Sequence, residues 1–185
     1  MDATVSELKK KLYALLEREA LKKGSFTLSS GKQSAYYLDG RIITLTPEGA
    51  YLVAAIILDM VRDLKIDAIG GPTLGADPIV GAVAYRAHEQ NIPLKTFIVR
   101  KEAKGHGMQR RVEGPALARG ERVVIVDDVA TTGKALLEAK AVLDSLGVTV
   151  LQAIVIVDRN EGASERMRQA GIPLSSIFTI ADFGL

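Results

Sequence analysis

Two adjacent aspartates, Asp127 and Asp128, follow four β-branched aliphatic residues and precede a turn that carries hydroxyl groups and glycine. The aliphatic run, residues 123–126, fits a strand buried on both faces, and open α/β sheets bind ligands at the carboxyl ends of such strands. Residues 131–133, Thr-Thr-Gly, then offer hydroxyls and backbone N–H groups at the start of an amphipathic helix, whose dipole favours an anion. Carboxylates that accept from hydroxyls, beside amides that bind phosphate, indicate a sugar phosphate as the ligand.

The same string also has a purely structural explanation, in which the two aspartates end the strand and cap the helix. A Walker A loop does not fit, because Asp128 stands where the first glycine of that motif belongs and Ala135 stands where its magnesium-binding Ser or Thr belongs. A nucleotide triphosphatase is therefore disfavoured.

A long segment between two predicted strands, residues 100–114, is rich in cations and has no apolar period. Its basic residues, with one histidine, are Arg100, Lys101, Lys104, His106, Arg110 and Arg111. Loops of this length in compact domains are usually functional or disordered. Cations that close over a leaving diphosphate would stabilise its charge and exclude water, whereas the alternative is a solvated flap with scattered charges.

The rest of the chain supplies the elements that would position these groups. A capping-box pattern at residues 4–7 predicts an amphipathic helix that runs to about Leu21. Short extended pieces are expected over residues 26–38, and Thr-Pro-Glu at 46–48 predicts a second helix that runs to about Arg62.

Strands and helices then alternate along the chain. The predicted strands cover residues 68–70, 97–99, 123–126 and 150–157. The predicted helices cover residues 76–89, 132–146 and 163–170. This alternation predicts an α/β fold in which helices cover both faces of a parallel sheet. No internal repeat or linker is visible in the 185 residues, so residues 1–185 are expected to form a single domain.

Composition narrows the possible partners. A net charge of +2 is too small to favour a general nucleic-acid or membrane surface. The absence of cysteine excludes disulfides, thiolate metal sites and a cysteine nucleophile. No apolar run reaches the roughly 20 residues that span a bilayer, and the N-terminus does not read as a signal peptide. A cytoplasmic protein without nucleic-acid or membrane partners is expected.

The string at residues 123–135 closely resembles the phosphoribosyl-pyrophosphate (PRPP) signature of the type I phosphoribosyltransferases, which transfer ribose 5-phosphate from PRPP to a nitrogen base. The resemblance implies a central parallel sheet flanked by helices, a small N-terminal hood at about residues 1–45 and a flexible catalytic loop at about residues 100–115. It implies that Asp127 and Asp128 bind the ribose hydroxyls. The residues implied to bind the 5′-phosphate are Val129, Ala130, Thr131, Thr132, Gly133, Lys134 and Ala135.

The spacing Arg-Lys-x-x-Lys-x-His-Gly over residues 100–107 resembles the catalytic loop of the orotate branch of this family. The residues implied to contact the diphosphate are Arg100, Lys101, Lys104 and His106. Lys104 and His106 would act with the two aspartates as catalytic residues, and Lys104 would assist the transition state most directly. The resemblance also implies a homodimer in which each loop closes over the active site of the partner.

Residues 26–39 resemble the hood segment that covers orotate in these enzymes. The implied orotate contacts are Tyr36, Tyr37, Thr131 and Arg159. Two alternatives remain open: the tyrosine pair could be one core ring and one surface ring, and Arg159 could be a surface arginine paired with Asp158 or Glu161.

Two positions depart from many members of the family. Leu74 and Ser29 stand where a lysine is often found. Backbone amides of residues 73–76 could still bind the diphosphate, because this loop opens a helix.

The resemblance covers nearly the whole chain and implies magnesium-dependent attack of orotate N1 on C1′ of PRPP, with inversion, in the pyrimidine pathway to UMP. Phosphate oxygens and water would carry the magnesium, with no direct protein ligand. A purine phosphoribosyltransferase is the nearest alternative, but the pattern at residues 100–107 and Arg159 are not expected in it. A non-catalytic PRPP-sensing regulator is the other alternative, and it would usually need a nucleic-acid-binding extension or a basic face.

Overall fold

The computed structural model describes residues 4–27, 33–102 and 111–185 of the chain. Its α-helices are α1 (Val5–Leu15), α2 (Arg41–Thr44), α3 (Pro47–Val61), α4 (Ala76–Glu89), α5 (Lys134–Ser145) and α6 (Ala163–Gln169). Its strands are β1 (Leu21–Thr27), β2 (Gln33–Leu38), β3 (Ala68–Pro72), β4 (Lys95–Val99), β5 (Val112–Glu113), β6 (Arg122–Ala130), β7 (Thr149–Asp158) and β8 (Leu174–Thr179). Helix α1 continues as a π-helical turn over Leu16–Ala20, and a short 3-10 helix spans Ile180–Phe183.

A six-stranded sheet in the order β5-β4-β3-β6-β7-β8 lies at the centre of the fold. Neighbouring strands are parallel, except that β5 pairs antiparallel with β4 at one edge. Strands β1 and β2 form a second, antiparallel sheet within the predicted hood. The predicted α/β fold with a central parallel sheet flanked by helices is confirmed, with one short antiparallel strand added.

Two apolar layers cover the two faces of the central sheet. Val126 of β6 packs in the layer that contains α1, α3 and α4, whereas Ile125 packs in the layer that contains α5 and α6. Successive side chains of a strand point to opposite faces of a sheet. Asp127 therefore continues the α5 side of β6, and Asp128 continues the α3 side.

The helix starts form where the sequence predicts them. Thr4 and Glu7 make the reciprocal capping box at the start of α1. The Thr46 hydroxyl accepts a hydrogen bond from Gly49 N at 3.1 Å, and Pro47 occupies the first position of α3, where its missing N–H costs nothing. The predicted helices and strands from residue 46 onward are confirmed, with ends that differ by no more than four residues.

Four elements were not predicted from the sequence: α2, β5, β8 and the short 3-10 helix at Ile180–Phe183. The segment at residues 100–114 was expected to lack structure, but Val112–Glu113 pairs with the end of β4, and Arg100 N donates to Arg111 O at 2.7 Å. A two-residue strand between charged residues and glycine carries too few apolar positions to show a period. Strand β8 contains two adjacent serines, which hide the alternation.

Within residues 4–27, 33–102 and 111–185, none of the helices combines the length and the apolar character that a membrane crossing requires.

Candidate active site

The two aspartates lie inside β6. The sequence had predicted that they follow the strand. β6 pairs in parallel with β7 as far as Ala130, which lies opposite Asp158. The continued pairing fixes the backbone of both acids. Each carboxylate is also anchored locally, because Asp128 N donates to Asp127 Oδ1 at 3.0 Å and Val129 N donates to Asp128 Oδ1 at 2.8 Å. The acid pair is thus held by its own strand.

Burial sets the electrostatics of this pair. Burial, and secondarily the neighbouring charge of Asp128, raises the pKa of Asp127 well above its usual range. Burial also raises the pKa of Asp128, but the Val129 N–H and the positive charge of Arg41 oppose that rise. Two buried carboxylates this close tend to share a proton until a ligand supplies hydrogen-bond donors. The pair is suited to accepting hydrogen bonds from hydroxyl groups.

A small concave pocket opens on the α5 side of the acid pair. Its volume is about 160 Å³, and it is lined by Asp127 and by residues 129–136. Gly133 adopts a left-handed conformation, with φ +75°, immediately before α5 begins at Lys134. The helix therefore starts two residues later than predicted, and Val129 and Ala130 belong to β6. The turn still leads into the N-terminus of α5, where unpaired backbone N–H groups and the helix dipole suit a phosphate.

Helix α6 supports this turn from behind. Arg166 Nη1 donates to the Thr132 carbonyl oxygen at 3.1 Å. A Cβ added at Gly133 would lie 3.3 Å from Ala163 Cα, so the close packing of α6 on the turn favours glycine there in addition to the left-handed backbone.

The loop between β3 and α4 touches the acid pair directly. A Cβ added at Gly75 would collide with Oδ1 of both Asp127 and Asp128, so only glycine fits this position without a shift. Thr73 Oγ1 donates to Asp77 Oδ2 at 2.8 Å, and the peptide bond between Thr73 and Leu74 is cis. Leu74 of this loop points to solvent, with 59% of its surface exposed.

Arg159 follows β7 and is buried, with a side chain only 7% exposed. Its backbone N donates to Ala130 O at 2.9 Å, which places it beside the end of β6. Its Nε donates to Tyr36 OH at 3.0 Å and lies 3.0 Å from Glu161 Oε1, and its guanidinium carbon lies 4.6 Å from the Tyr36 ring centre. The alternative prediction, a surface arginine paired with Asp158 or Glu161, is wrong because Arg159 is buried. Its predicted pairing with Glu161 is confirmed.

The two tyrosines have different environments. Tyr36 is half-buried against Arg159, so its contact is with the cation and not with another ring. Tyr37 is 39% exposed, and its ring centre lies 5.9 Å from that of Phe26. The structure therefore brings Tyr36 to the end of β7 with Arg159, while Tyr37 lies on the other face of β2.

Arg100 and Lys101 lie at the base of the predicted catalytic loop. Both line a small crevice with Pro72 of β3 and Ala135 of α5, so the loop base adjoins the turn that precedes α5. Arg100 Nη1 lies 3.4 Å from Glu113 Oε1. Lys104 and His106 lie outside the described residues.

Five residues that contact or charge the acid pair were not identified in that role from the sequence: Asp39, Gly40, Arg41, Gly75 and Asp77. Asp39 and Gly75 fell only within segments predicted to cover orotate and to bind the diphosphate. No local motif marks them, because each reaches the pair from a segment that is distant in sequence. Within the part of the chain that the structure describes, no cluster of three or more acidic or histidine side chains could hold a metal ion.

Comparison with known proteins adds independent findings. A family profile described as "Phosphoribosyl transferase domain" matches residues 41–180. An orotate phosphoribosyltransferase of Rhodopirellula baltica is 44% identical over 180 residues, which cover 94% of this chain and 93% of the relative. A crystal structure of orotate phosphoribosyltransferase from Mycobacterium tuberculosis has a TM-score of 0.84 at 36% identity, and it covers 96% of this chain and 99% of the other. Another structure of that enzyme, in complex with PRPP, has a TM-score of 0.81 at 32% identity, with the same coverage of both chains.

Proposed function

The chain belongs to the phosphoribosyltransferase family, and from this premise we propose that it is an orotate phosphoribosyltransferase. It transfers ribose 5-phosphate from PRPP to orotate and releases orotidine 5′-phosphate and diphosphate, a step in making UMP. Orotate N1 attacks C1′ while the bond from C1′ to the diphosphate oxygen breaks, so no covalent enzyme intermediate is needed.

One observation carries the proposal: Asp127 of the acid pair borders the small pocket before α5, and the backbone of the buried Arg159 is hydrogen-bonded to Ala130 at the end of the same strand. Asp127 and Asp128 accept hydrogen bonds from the ribose 2′ and 3′ hydroxyls, which satisfies the carboxylates that burial disfavours. Residues 129–135 bind the 5′-phosphate through backbone N–H groups and the hydroxyls of the two threonines. The sugar is then fixed with C1′ directed away from the turn.

The base site lies at the neighbouring strand end. Arg159 offers a planar, permanently charged fork to a carboxylate or carbonyl of orotate, and Thr131 contacts the ring from the turn. Tyr36 supports the guanidinium through its hydroxyl and its ring face. Tyr37 lies on the opposite face of β2 from Tyr36, so its predicted contact with the base finds no support in this geometry.

The loop supplies cations for the leaving group. Arg100 and Lys101 at its base, with Lys104 and His106 beyond them, bind the diphosphate as negative charge develops on it. Mg²⁺ would be held by the phosphate oxygens of PRPP and by water, which it prefers as ligands, and would supply positive charge to the diphosphate. The exchange of loops between the subunits of a homodimer, the single-domain organisation and the cytoplasmic location stay predictions. Mixing Lys104→Ala subunits with Asp128→Asn subunits tests the exchange, since only crossed loops restore one intact site.

The proposed reaction is tested by incubating the protein with PRPP, Mg²⁺ and one base at a time. Chromatography should show orotidine 5′-phosphate with orotate, and no product with adenine or hypoxanthine. Product from a purine base and none from orotate would reassign the protein to the purine branch. Binding of PRPP without turnover of any base would favour a PRPP sensor.

A further inference from the structure

A short segment between β2 and α2 crosses the α3 side of the acid pair. At Gly40, an added Cβ would lie 2.8 Å from Asp128 Cβ and 3.1 Å from Asp128 Oδ2. The segment is held there by its flanks, since Leu38 before it and Ile43 after it are both buried in the core. The residues on either side of Gly40 are therefore fixed next to the Asp128 carboxylate.

Those two residues form a bidentate ion pair. Arg41 Nε donates to Asp39 Oδ1 and Arg41 Nη2 donates to Asp39 Oδ2, each at 2.9 Å. Arg41 N also donates to Asp39 Oδ1 at 3.0 Å. The three hydrogen bonds fix the guanidinium in one orientation, because a planar fork on both carboxylate oxygens allows little rotation.

The pair exerts opposite effects on Asp128. The charge of Arg41 lowers the pKa of Asp128, and the charge of Asp39 raises it by less. In return, the pKa of Asp39 is lowered chiefly by its hydrogen bonds with Arg41, so Asp39 stays ionised and continues to orient the Arg41 guanidinium. Asp127 is the third charged group beside Asp128, and it takes its own raised pKa from burial, from Asp128 and from Asp77. Among the residues that the structure describes, Arg41 is the cation whose charge opposes the effect of burial on the pKa of Asp128.

We propose that Arg41, oriented by Asp39, is a positioning residue that keeps the Asp128 carboxylate ionised and in place for a hydroxyl group of the donor sugar. The proposal rests on the proposed function and adds to it a charge that the acid-pair motif does not contain. Arg41 acts through Asp128 and is not assigned a contact with the substrate.

The test compares Arg41→Gln and Arg41→Lys with the unaltered enzyme. Removing the positive charge raises the pKa of Asp128, so the carboxylate is protonated at a higher pH. We expect the acid limb of kcat/KM for PRPP to move upward by about one pH unit in Arg41→Gln, with KM for PRPP about tenfold higher at the acid end of the profile. Arg41→Lys retains the charge and should return the acid limb close to its original position.

Arg62→Gln is the matched control, because Arg62 also pairs with an aspartate, Asp59 at 2.9 Å, but on the exposed end of α3. It should leave both the pH profile and KM unchanged. A profile for Arg41→Gln that overlays that of the unaltered enzyme would refute the positioning role. A second result would also refute it: kcat/KM for PRPP falls by the same factor at every pH, Tm is lowered, and Arg41→Lys restores neither. That pattern marks a structural role.

The outcome is separable from that of the proposed function. If the unaltered protein makes no orotidine 5′-phosphate, the proposed function fails, and the pH dependence of PRPP binding by calorimetry still tests Arg41. If the unaltered protein makes orotidine 5′-phosphate and Arg41→Gln has the same pH profile, only the proposed role of Arg41 is refuted.

Discussion

The two halves of the site are built in different ways. The sugar half consists of an acid pair and a turn that are contiguous in sequence, and each carboxylate is anchored by the N–H of the next residue. The base half depends on Arg159, whose guanidinium is held by Tyr36, 123 residues away in the chain. Local backbone contacts anchor both carboxylates of the first half, whereas the second half also needs the hood residue Tyr36 beside Arg159.

The largest expected effect is on the sugar half. Asp127→Asn should reduce kcat/KM for PRPP by about 10²–10³, because one charged acceptor of a ribose hydroxyl is lost. The free energy of unfolding of Asp127→Asn should not fall along with its activity. Burial raises the pKa of Asp127, so its ionisation costs stability as the pH rises from the usual aspartate range toward the raised value. Asparagine removes that cost.

Steady-state kinetics and thermal unfolding at neutral pH measure both quantities. Asp144→Asn, on the exposed end of α5 where Asp144 pairs with Lys140, is the control for losing an ion-paired aspartate. A Tm that drops sharply in Asp127→Asn, with activity lost in proportion, would show that the pair is structural and would remove the contrast between the two halves.

A smaller but still severe effect is expected at Gly75. Gly75→Ala places a methyl group against Oδ1 of both acids, so either the loop or the carboxylates must shift. Overpacking of this kind typically costs about 1–3 kcal/mol in stability. We expect KM for PRPP to rise about tenfold or more, because a loss of about 1.4 kcal/mol in binding free energy already lowers affinity tenfold.

Gly81 in the same stretch, within α4, gives a matched control. A Cβ there would meet nothing within 4 Å, so Gly81→Ala should be neutral or raise the unfolding free energy by about 0.5–1 kcal/mol. Calorimetric PRPP titrations of the two variants separate a local effect on the acids from a general effect of alanine. Equal affinities would show that the β3–α4 loop moves freely.

The smallest effect should come from the base half. Tyr36→Phe keeps the ring under Arg159 and deletes the hydroxyl that accepts from Nε. The loss of one hydrogen bond is worth about 0.5–1.5 kcal/mol, so KM for orotate should rise about two- to tenfold while KM for PRPP stays constant.

Tyr13→Phe removes a comparable hydroxyl, which donates to Asp182 O at 3.2 Å and lies away from the strand ends. It should leave both KM values unchanged. If Tyr36→Phe raised KM for PRPP as much as KM for orotate, the two halves would be coupled and not separately built.

The same contrast explains what could be predicted from sequence. The acid pair and its turn were predicted because their chemistry lies in consecutive residues, and the strands and helices after residue 46 because their apolar periods are long. Arg159 was identified through the family resemblance, at a position just past a predicted strand. Its partner Tyr36 was identified, but as a ring for the base, since a sequence does not show which ring a cation will cover.

Asp39, Gly40, Arg41 and Gly75 could not be predicted in the same way. Their importance arises where two loops, one after β2 and one after β3, approach the end of β6. No period or local motif encodes such an approach. The short strand β5 was not predicted because its two residues form a strand only through their pairing with β4.

The buried acid pair also has a thermodynamic consequence for ligand binding. If burial leaves a proton on Asp127 in the free protein, hydroxyl donors that satisfy both carboxylates must expel it. Association with the sugar diphosphate would then acidify the medium. The apparent heat of association should differ between two buffers of unequal ionisation enthalpy at one pH, and the slope of that difference counts the protons released.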